Sequence, residues 1–177
     1  ETVIDPTGAH AGFTITGDNV TVDGFKVATA TNGFVVNGAT NTIVRNNVVD
    51  GSTQNGVFAS LANGLHVLNN WIKNSTQNGV LVQDSHNTLI TSNVIDNSGI
   101  DGVQVANSYS TESNNGDDEH HDHTPVPTYD LQVVDNTITN SDNDGISIEN
   151  VVSSLISGNN VSDSGNDGIY VMGSAYL

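Results

Sequence analysis

The side chains best suited to chemistry in this sequence lie in one acidic stretch near its middle, where residues 117–123 read Asp-Asp-Glu-His-His-Asp-His. His120, His121 and His123 supply three imidazoles among carboxylates, which is a donor set that Zn²⁺ or Cu²⁺ accepts. Their spacing matches no closed zinc motif, and runs of charged residues are usually solvated loops. The stretch therefore predicts either a metal site or a solvated acidic loop.

A second candidate is the pair His86 and Tyr109, which could donate and accept protons in a β-elimination or epimerisation. Each lies seven residues after a glycine, Gly79 or Gly102, that belongs to a repeated pattern, and Asn63 holds the same place one repeat earlier. Residues at the same place in successive repeats would stack about 5 Å apart. The alternative interpretation is that these are ordinary polar side chains at a surface corner.

A third candidate is the column of residues that precede the repeated glycines: Asn32, Asn55, Asn78, Asp101, Asp144 and Asp167. The stacked carboxylates of Asp101, Asp144 and Asp167 would repel one another unless they are hydrated, hydrogen-bonded by backbone N–H groups or bridged by a cation. Asp142 and Asp163 lie nearby in the sequence and add the oxygen ligands that Ca²⁺ prefers. The column therefore predicts a Ca²⁺ site, with aspartate as a simple turn residue as the alternative.

Four residues are candidate substrate contacts. Arg45 and His66 should face outward on neighbouring repeats, where they could contact a carboxylate of a substrate. Phe58 and Leu81 continue an outward apolar stripe that begins at Val35, and this stripe could stack on sugar rings or contact a protein. Ordinary surface residues would show the same pattern.

All of these candidates depend on a repeat of 23 residues, in which a small polar residue and a glycine precede an apolar–x–apolar triplet. The repeated glycines are Gly33, Gly56, Gly79, Gly102, Gly145 and Gly168. Only the step from Gly102 to Gly145 differs, at 43 residues, which is one period plus a 20-residue insertion at about 107–130. A fixed period of this length predicts a stacked solenoid.

Three apolar columns indicate three short strands in each turn. The first column takes the first and third positions after the glycine: Phe34/Val36, Val57/Ala59, Val80/Val82, Val103/Val105, Ile146/Ile148 and Ile169/Val171. The second and third columns lie eleven and sixteen residues after it: Val44, Val67, Ile90, Val133 and Ile156, then Val49, Ile72, Ile95, Ile138 and Val161. An asparagine column lies between these two, where stacked amides can hydrogen-bond one another: Asn47, Asn70, Asn93, Asn136 and Asn159. The pattern predicts an all-β parallel β-helix of six to seven turns, in one domain over residues 1–177.

These columns, with the opening segments Thr2–Asp5, Gly12–Ile15 and Asn19–Phe25, resemble the right-handed parallel β-helix repeats of the pectate-lyase-like superfamily. The likeness is greatest to its short-repeat members, the NosD-like copper-binding accessory proteins and the mannuronan C5-epimerases. The resemblance implies a right-handed coil, and either lyase or epimerase chemistry on a polysaccharide or metal binding.

The catalytic residues that the resemblance implies are not matched here. In the epimerases it implies an Asp-Pro-His-Glu-like tetrad on a strand, whereas the only Asp-Pro of this chain is Asp5-Pro6, outside the repeat strands. In the lyases it implies a Lys or Arg beside the uronate, and Lys26, Arg45 and Lys73 are the only basic side chains. Lys73 has another explanation, because it is expected between Asp50 and Asp96 of the adjacent turns.

The charge balance limits the partners. With 20 acidic and 3 basic residues, the chain lacks the basic surface that nucleic acids or an anionic membrane would need. It contains no cysteine and no apolar run long enough to span a bilayer. Strong acidity is typical of secreted, cell-surface or periplasmic proteins. An acidic polysaccharide would be repelled unless a cation such as Ca²⁺ bridged the two anions.

Three functions remain open at this point. The first is a carbohydrate-active module that binds or modifies a polysaccharide, and the second is a non-catalytic structural or adhesion solenoid. The third is a metal-binding accessory protein that uses the three histidines of the acidic stretch. The pattern stops soon after Gly168 without a polar cap, so we expect this end to stack on a flanking domain or on another subunit.

Overall fold

The structure is a computed structural model that describes residues 2–8, 10–106 and 128–173. In these residues the chain forms strands and turns, and no helix there is long and apolar enough to cross a membrane. The strands are β1 (Thr2–Ile4), β2 (Ala11–Ile15), β3 (Thr21–Asp23), β4 (Phe25–Ala28), β5 (Asn32–Asn37), β6 (Ile43–Arg45), β7 (Val48–Asp50), β8 (Val57–Ser60), β9 (His66–Leu68), β10 (Trp71–Ser75), β11 (Val80–Gln83), β12 (Leu89–Thr91), β13 (Val94–Ser98), β14 (Val103–Ala106), β15 (Thr128–Val134), β16 (Thr137–Ser141), β17 (Ile146–Glu149), β18 (Val151–Ser157), β19 (Asn160–Ser164) and β20 (Ile169–Met172).

Three parallel sheets stack these strands into a β-solenoid, which confirms the predicted fold class. The first sheet has the order β2-β5-β8-β11-β14-β17-β20 and the second β3-β6-β9-β12-β15-β18. The third has the order β1-β4-β7-β10-β13-β16-β19. The chain visits the first, second and third sheet once in each turn, so every strand neighbours the strand one turn away.

The strand register follows the sequence period, because each Cα partner lies one repeat away. Val80 pairs with Val57 on one side and Val103 on the other, and Val103 pairs with Ile146 across the insertion. The insertion therefore leaves the register of the columns unchanged. Its far end forms part of the fold, since β15 begins at Thr128 and pairs with β18 from Val151 onward, whereas the sequence placed the limit near residue 130.

The core contains the three predicted apolar columns and further buried side chains outside them, such as Leu65, Leu131 and Val151. The column members from Val36 to Ile148 are completely inaccessible to solvent, while Ile156, Val161 and Val171 of the last turn are only partly buried. Phe34 stacks on Phe13 with ring centroids 5.2 Å apart near the opposite end of the stack. Burial of Val and Ile along these columns supplies the main driving force for folding.

A buried ladder of side-chain amides joins the turns at the corner between the second and third sheets. Asn70 Nδ2 donates to Asn93 Oδ1 at 3.0 Å, and Asn47 Nδ2 donates in the same way to Asn70 Oδ1 at 3.1 Å. Each amide oxygen also accepts the backbone N–H of the preceding rung, such as Asn70 N to Asn93 Oδ1 at 2.9 Å. The predicted stacking of amides is confirmed, and it provides hydrogen bonds for polar groups that water cannot reach.

The repeated glycine allows the turns to close tightly at the start of the first sheet. A Cβ on Gly79 would lie 2.3 Å from Ile95 Cγ2 and 2.6 Å from the carbonyl oxygen of Gly102. A column of serines with buried hydroxyl groups lies against four of these glycines: Ser75, Ser98, Ser141 and Ser164. The glycine and the small serine side chain together make room for the inward Ile or Val of the third sheet.

Candidate functional site

The corner after the first sheet carries His86, as the repeat predicts. Thr40, Asn63 and His86 follow one another as parallel bridge partners, and Gly64 N donates to the carbonyl oxygen of His86 at 3.0 Å. The His86 residue is half-buried. Tyr109, its predicted partner, lies outside the described residues, so the pairing of the two stays a prediction.

Phe58 and Leu81 are direct neighbours on the outer face of the first sheet. Val35 pairs with Phe58 on one side and Gln104 pairs with Leu81 on the other. All four are half-buried rather than fully exposed. The predicted stripe is therefore present as a short apolar patch that continues into polar side chains.

Arg45 and His66 lie on adjacent strands of the second sheet, but they are not direct partners, because Arg45 pairs with Leu68 and His66 with Ile43. Arg45 Nε donates to Asp23 Oδ2 at 2.8 Å. Hydrogen bonds from Asn46 and from Arg45 hold the pKa of the Asp23 carboxyl below its usual range. This bond takes one of the five N–H donors of the guanidinium, and the Arg45 side chain remains 46% exposed.

The aspartate column forms a hydrogen-bonded ladder. Asp144 N donates to Asp101 Oδ1 at 2.9 Å, and Asp167 N donates to Asp144 Oδ1 at 2.9 Å. Two asparagines supply a second donor, Asn143 Nδ2 to Asp101 Oδ1 at 2.9 Å and Asn166 Nδ2 to Asp144 Oδ1 at 3.0 Å. Of the three ways in which stacked carboxylates could be tolerated, hydrogen bonds from backbone N–H groups are therefore present. Ca²⁺ binding at this column stays a prediction.

Asp101 is the most perturbed acid of this column. It is 1% exposed, and burial raises the pKa of its carboxyl above the usual range. The two hydrogen bonds that it accepts act in the opposite direction, and the neighbouring Asp144 charge adds to the rise. The column thus contains one carboxylate that is costly to keep ionised.

The predicted Zn²⁺ or Cu²⁺ site of the acidic stretch is also untested by the structure. His120, His121 and His123 lie outside the described residues, so Zn²⁺ or Cu²⁺ binding there also stays a prediction. Within the parts of the chain that the structure describes, no three His, Asp or Glu side chains are close enough together to hold a metal ion.

An open polar groove lies at the other edge of the first sheet, where the third sheet ends and the next turn begins. It encloses about 730 Å³ and is lined by Asn74, Asp96, Asn97, Asn140, Ser141, Asp142, Asp163, Ser164 and Gly165. We call it the amide groove. The sequence-based prediction missed it, although Asp142 and Asp163 had been singled out as oxygen ligands of the aspartate column.

The backbone shapes the amide groove through one left-handed residue in each turn. Asn74, Asn97, Asn140 and Asp163 share this place, with φ of 57°, 57°, 54° and 56°. Asparagine and aspartate tolerate this conformation better than most residues, which explains why the column is built from them. Only glycine fits at residue 165 of this groove, because a Cβ there would lie 2.1 Å from the carbonyl oxygen of Asp142.

Hydrogen bonds fix several of the groove's side chains. Asn97 Nδ2 donates to Asn74 Oδ1 at 2.8 Å. Asn140 Nδ2 and Thr139 Oγ1 each donate to Asp96 Oδ1 at 2.7 Å, and these two bonds hold the pKa of the Asp96 carboxyl below its usual range. Asp96 is therefore an ionised acceptor at neutral pH.

The only tryptophan of the chain lies on the outer face of the third sheet, on the strand that leads to the amide groove. Trp71 is 48% exposed, three residues before Asn74. Lys73 Nζ lies 4.6 Å from the centroid of its ring and 3.1 Å from Asp50 Oδ2. The predicted Asp–Lys–Asp column is thus present in register, with the direct ion pair made to Asp50.

Comparison with known proteins identifies relatives at the level of family and fold. The family model described as a periplasmic copper-binding protein (NosD) matches residues 2–116. No curated protein matches the chain.

Several solved structures share the fold. The periplasmic alginate epimerase AlgG, solved as a mutant, superposes with a TM-score of 0.72 at 19% identity over 87% of this chain. The A-module of the Azotobacter vinelandii mannuronan C-5 epimerase AlgE4 gives 0.74 at 17% identity over 89%. The catalytic domain of a GH87 alpha-1,3-glucanase in complex with tetrasaccharides gives 0.57 at 14% over 96%. This chain spans 32% of the AlgG chain and 39% of each of the other two.

Proposed function

Because this chain belongs to the NosD family, we propose that it acts outside the cytoplasm, in the periplasm, at the cell surface or secreted, as a solenoid module that binds a polysaccharide. The solved structures that share the fold include an alginate epimerase, a mannuronan C-5 epimerase and an alpha-1,3-glucanase in complex with tetrasaccharides. Their low identity to this chain supports the fold alone, so the argument for binding rests on the surface of this chain.

The amide groove is the observation that supports this proposal. Its side chains are amides, carboxylates and serine hydroxyls, which hydrogen-bond sugar hydroxyls. The column Asn74, Asn97, Asn140 and Asp163 repeats over four successive turns at the strand spacing of about 4.8 Å. An extended glycan laid along the solenoid axis would therefore meet an equivalent set of groups at regular intervals.

The test removes two groove amides without changing the backbone. Asn97→Gly together with Asn140→Gly keeps the left-handed conformation, which glycine adopts freely. We expect this variant to lose about tenfold or more in affinity for whichever soluble polysaccharide retards the parent protein in affinity electrophoresis.

Asn69→Gly is the matched control, because Asn69 is also exposed and left-handed, with φ of 53°, at the corner between the second and third sheets. It should bind like the parent. Equal binding by the groove variant would place the glycan elsewhere, and the absence of retardation by every polysaccharide would contradict the proposed function.

Lyase or epimerase chemistry is a finer version of the same proposal. We propose His86 and Tyr109 as proton donor and acceptor. His86 lies at the corner after the first sheet, and the amide groove lies at the other edge of that sheet, with Phe58 and Leu81 between them. Ultraviolet absorbance of unsaturated uronate, measured on alginate and pectate, should grow with the parent and not with His86→Ala if the reaction is a lyase. Sugar NMR would detect epimerisation, which forms no double bond.

Copper binding is the second candidate, and the description of the matched family favours it. The match ends at residue 116, before His120, His121 and His123, so it depends on the repeat and not on these histidines. Calorimetric titration with Cu²⁺ and with Zn²⁺, on the parent and on a variant with all three histidines replaced by alanine, tests this candidate. Loss of binding in the variant would support an accessory role in metal handling.

A further inference from the structure

We propose that the amide groove selects an uncharged glycan and excludes polyuronates. This inference rests on the proposed function, glycan binding at the groove, and adds the chemical class of the ligand. It departs from the acidic substrate that the named epimerases would suggest.

The first argument is the balance of donors and acceptors. One N–H of each amide is already engaged, since Asn74, Asn97 and Asn140 donate to Asp50, Asn74 and Asp96. The carboxylates of Asp142 and Asp163 are exposed, and neither takes part in a side-chain hydrogen bond within the described residues. A carboxylate is an acceptor only, so at Asp142 and Asp163 the groove requires a ligand that brings donors, and sugar hydroxyls are such donors.

The second argument is the position of the basic side chains. Arg45 is paired with Asp23 on the second sheet, and Lys73 is held by Asp50 and the ring of Trp71. Lys26, the remaining one, lies beside Val48 on the outer face of the third sheet. None of the three lines the groove, while Asp96, Asp142 and Asp163 do. Lys73 lies in register with Asp96 and offsets part of its charge, so the repulsion of a uronate comes mainly from Asp142 and Asp163.

The size of the groove fits a polymer rather than a single sugar. About 730 Å³ extends over the turns that contribute Asn74, Asn97, Asn140 and Asp163. Because successive turns are about 4.8 Å apart, the groove is long enough for several rings of an extended chain.

The experiment measures calorimetric affinities in EDTA for neutral glycans (amylose, laminarin and hydroxyethyl cellulose), for polyuronates (alginate and polygalacturonate) and for chitosan oligomers. The variants are Asp142→Asn and Asp163→Asn, which keep the shape of the side chain and remove its charge. For the neutral glycan that binds, each variant should weaken affinity about tenfold, because a hydrogen bond to a charged acceptor is replaced by a weaker one. For the polyuronates, the same variants should raise whatever weak affinity remains, since they remove repulsion.

These opposite shifts in the two classes of glycan would support the inference. Polyuronate affinity in EDTA equal to that for the neutral glycans would overturn the ligand class while leaving glycan binding intact. Polyuronate binding that appears only with added Ca²⁺ and is lost in Asp142→Asn would also overturn it, as would chitosan binding tighter than any neutral glycan. Binding of no glycan at all would overturn the proposed function itself.

Discussion

The aspartate column illustrates how one residue change is compensated by another. In the first repeats each Asn oxygen accepts two bonds from the next rung, as Asn55 Oδ1 does from the backbone N and the Nδ2 of Asn78. Asp144 cannot give Asp101 the second of these bonds, because an ionised aspartate has no side-chain donor. Asn143, the residue just before Asp144, supplies the missing donor instead.

Replacing Asp101 by asparagine should stabilise the fold at neutral pH by about 1 kcal/mol, because the amide oxygen would keep both donors and the amide nitrogen could reach Asn78 Oδ1. The pKa of Asp101 is raised in the folded state. A raised folded pKa means that its carboxyl favours folding below its unfolded pKa, and that this contribution is lost as pH rises through the folded pKa. The gain from Asp101→Asn should therefore be full at neutral pH and vanish in acid.

Urea unfolding at neutral and acidic pH measures this difference. Asp167→Asn is the control, since Asp167 belongs to the same column but is exposed, and it should change stability little. Destabilisation by Asp101→Asn at neutral pH would show that the charge of Asp101 is needed, for instance by a bound cation.

At the scale of the strand and its corner, the glycine that opens the first sheet is fixed by contact and not by backbone angle. Gly79→Ala should destabilise the protein by about 3 kcal/mol or more, because its Cβ would lie 2.3 Å from Ile95 Cγ2 and 2.6 Å from the Gly102 carbonyl oxygen. Gly168→Ala is the matched control, since Gly168 holds the same place in the repeat with nothing within 4 Å of its Cβ position. Thermal unfolding followed by circular dichroism measures both, and equal melting temperatures would contradict the close packing of the turns.

The strands and the inward columns could be predicted because a side-chain period of two, repeated every 23 residues, determines which face is buried. The asparagine ladder was equally visible, since Asn47, Asn70 and Asn93 recur at one place and stacked amides satisfy one another. The sequence also contains the column that forms the amide groove, with Asn74 and Asn97 eighteen residues after their glycines.

That column was not recognised as a groove, for a physical reason. The direction of a corner side chain depends on a left-handed φ that no simple period encodes. The outward Trp71 was missed similarly, because one aromatic residue in a strand gives no repeat to follow. Arg45 was found, but its ion pair with Asp23 depends on the register between β3 and β6, and β3 lies before the first repeated glycine, Gly33.

At the scale of the whole molecule, stability should be a sum over turns, because each turn contacts only its neighbours. Every column continues in register when a complete repeat is removed, including the step across the insertion. Net charge of −17 opposes the compact state in every such variant, so comparisons belong at one ionic strength.

Deletion of residues 80–102 removes one whole turn and joins Gly79 to Val103, which restores the motif at the start of the first sheet. Ile72 then faces Ile138 and Asn70 faces Asn136, so the core and the amide ladder continue with like residues. We expect a cooperatively folded protein with the same β-sheet signal per residue and a melting temperature only several degrees lower.

Deletion of residues 80–91 is the contrasting variant. It removes β11 and β12 and leaves β13, so the first and second sheets each lose one strand while the third sheet loses none. That variant should unfold at much lower temperature or not fold, although it removes about half as many residues. If the whole-turn deletion proved no more stable than the half-turn deletion, the turns would not be the independent stacking units that their strand register indicates.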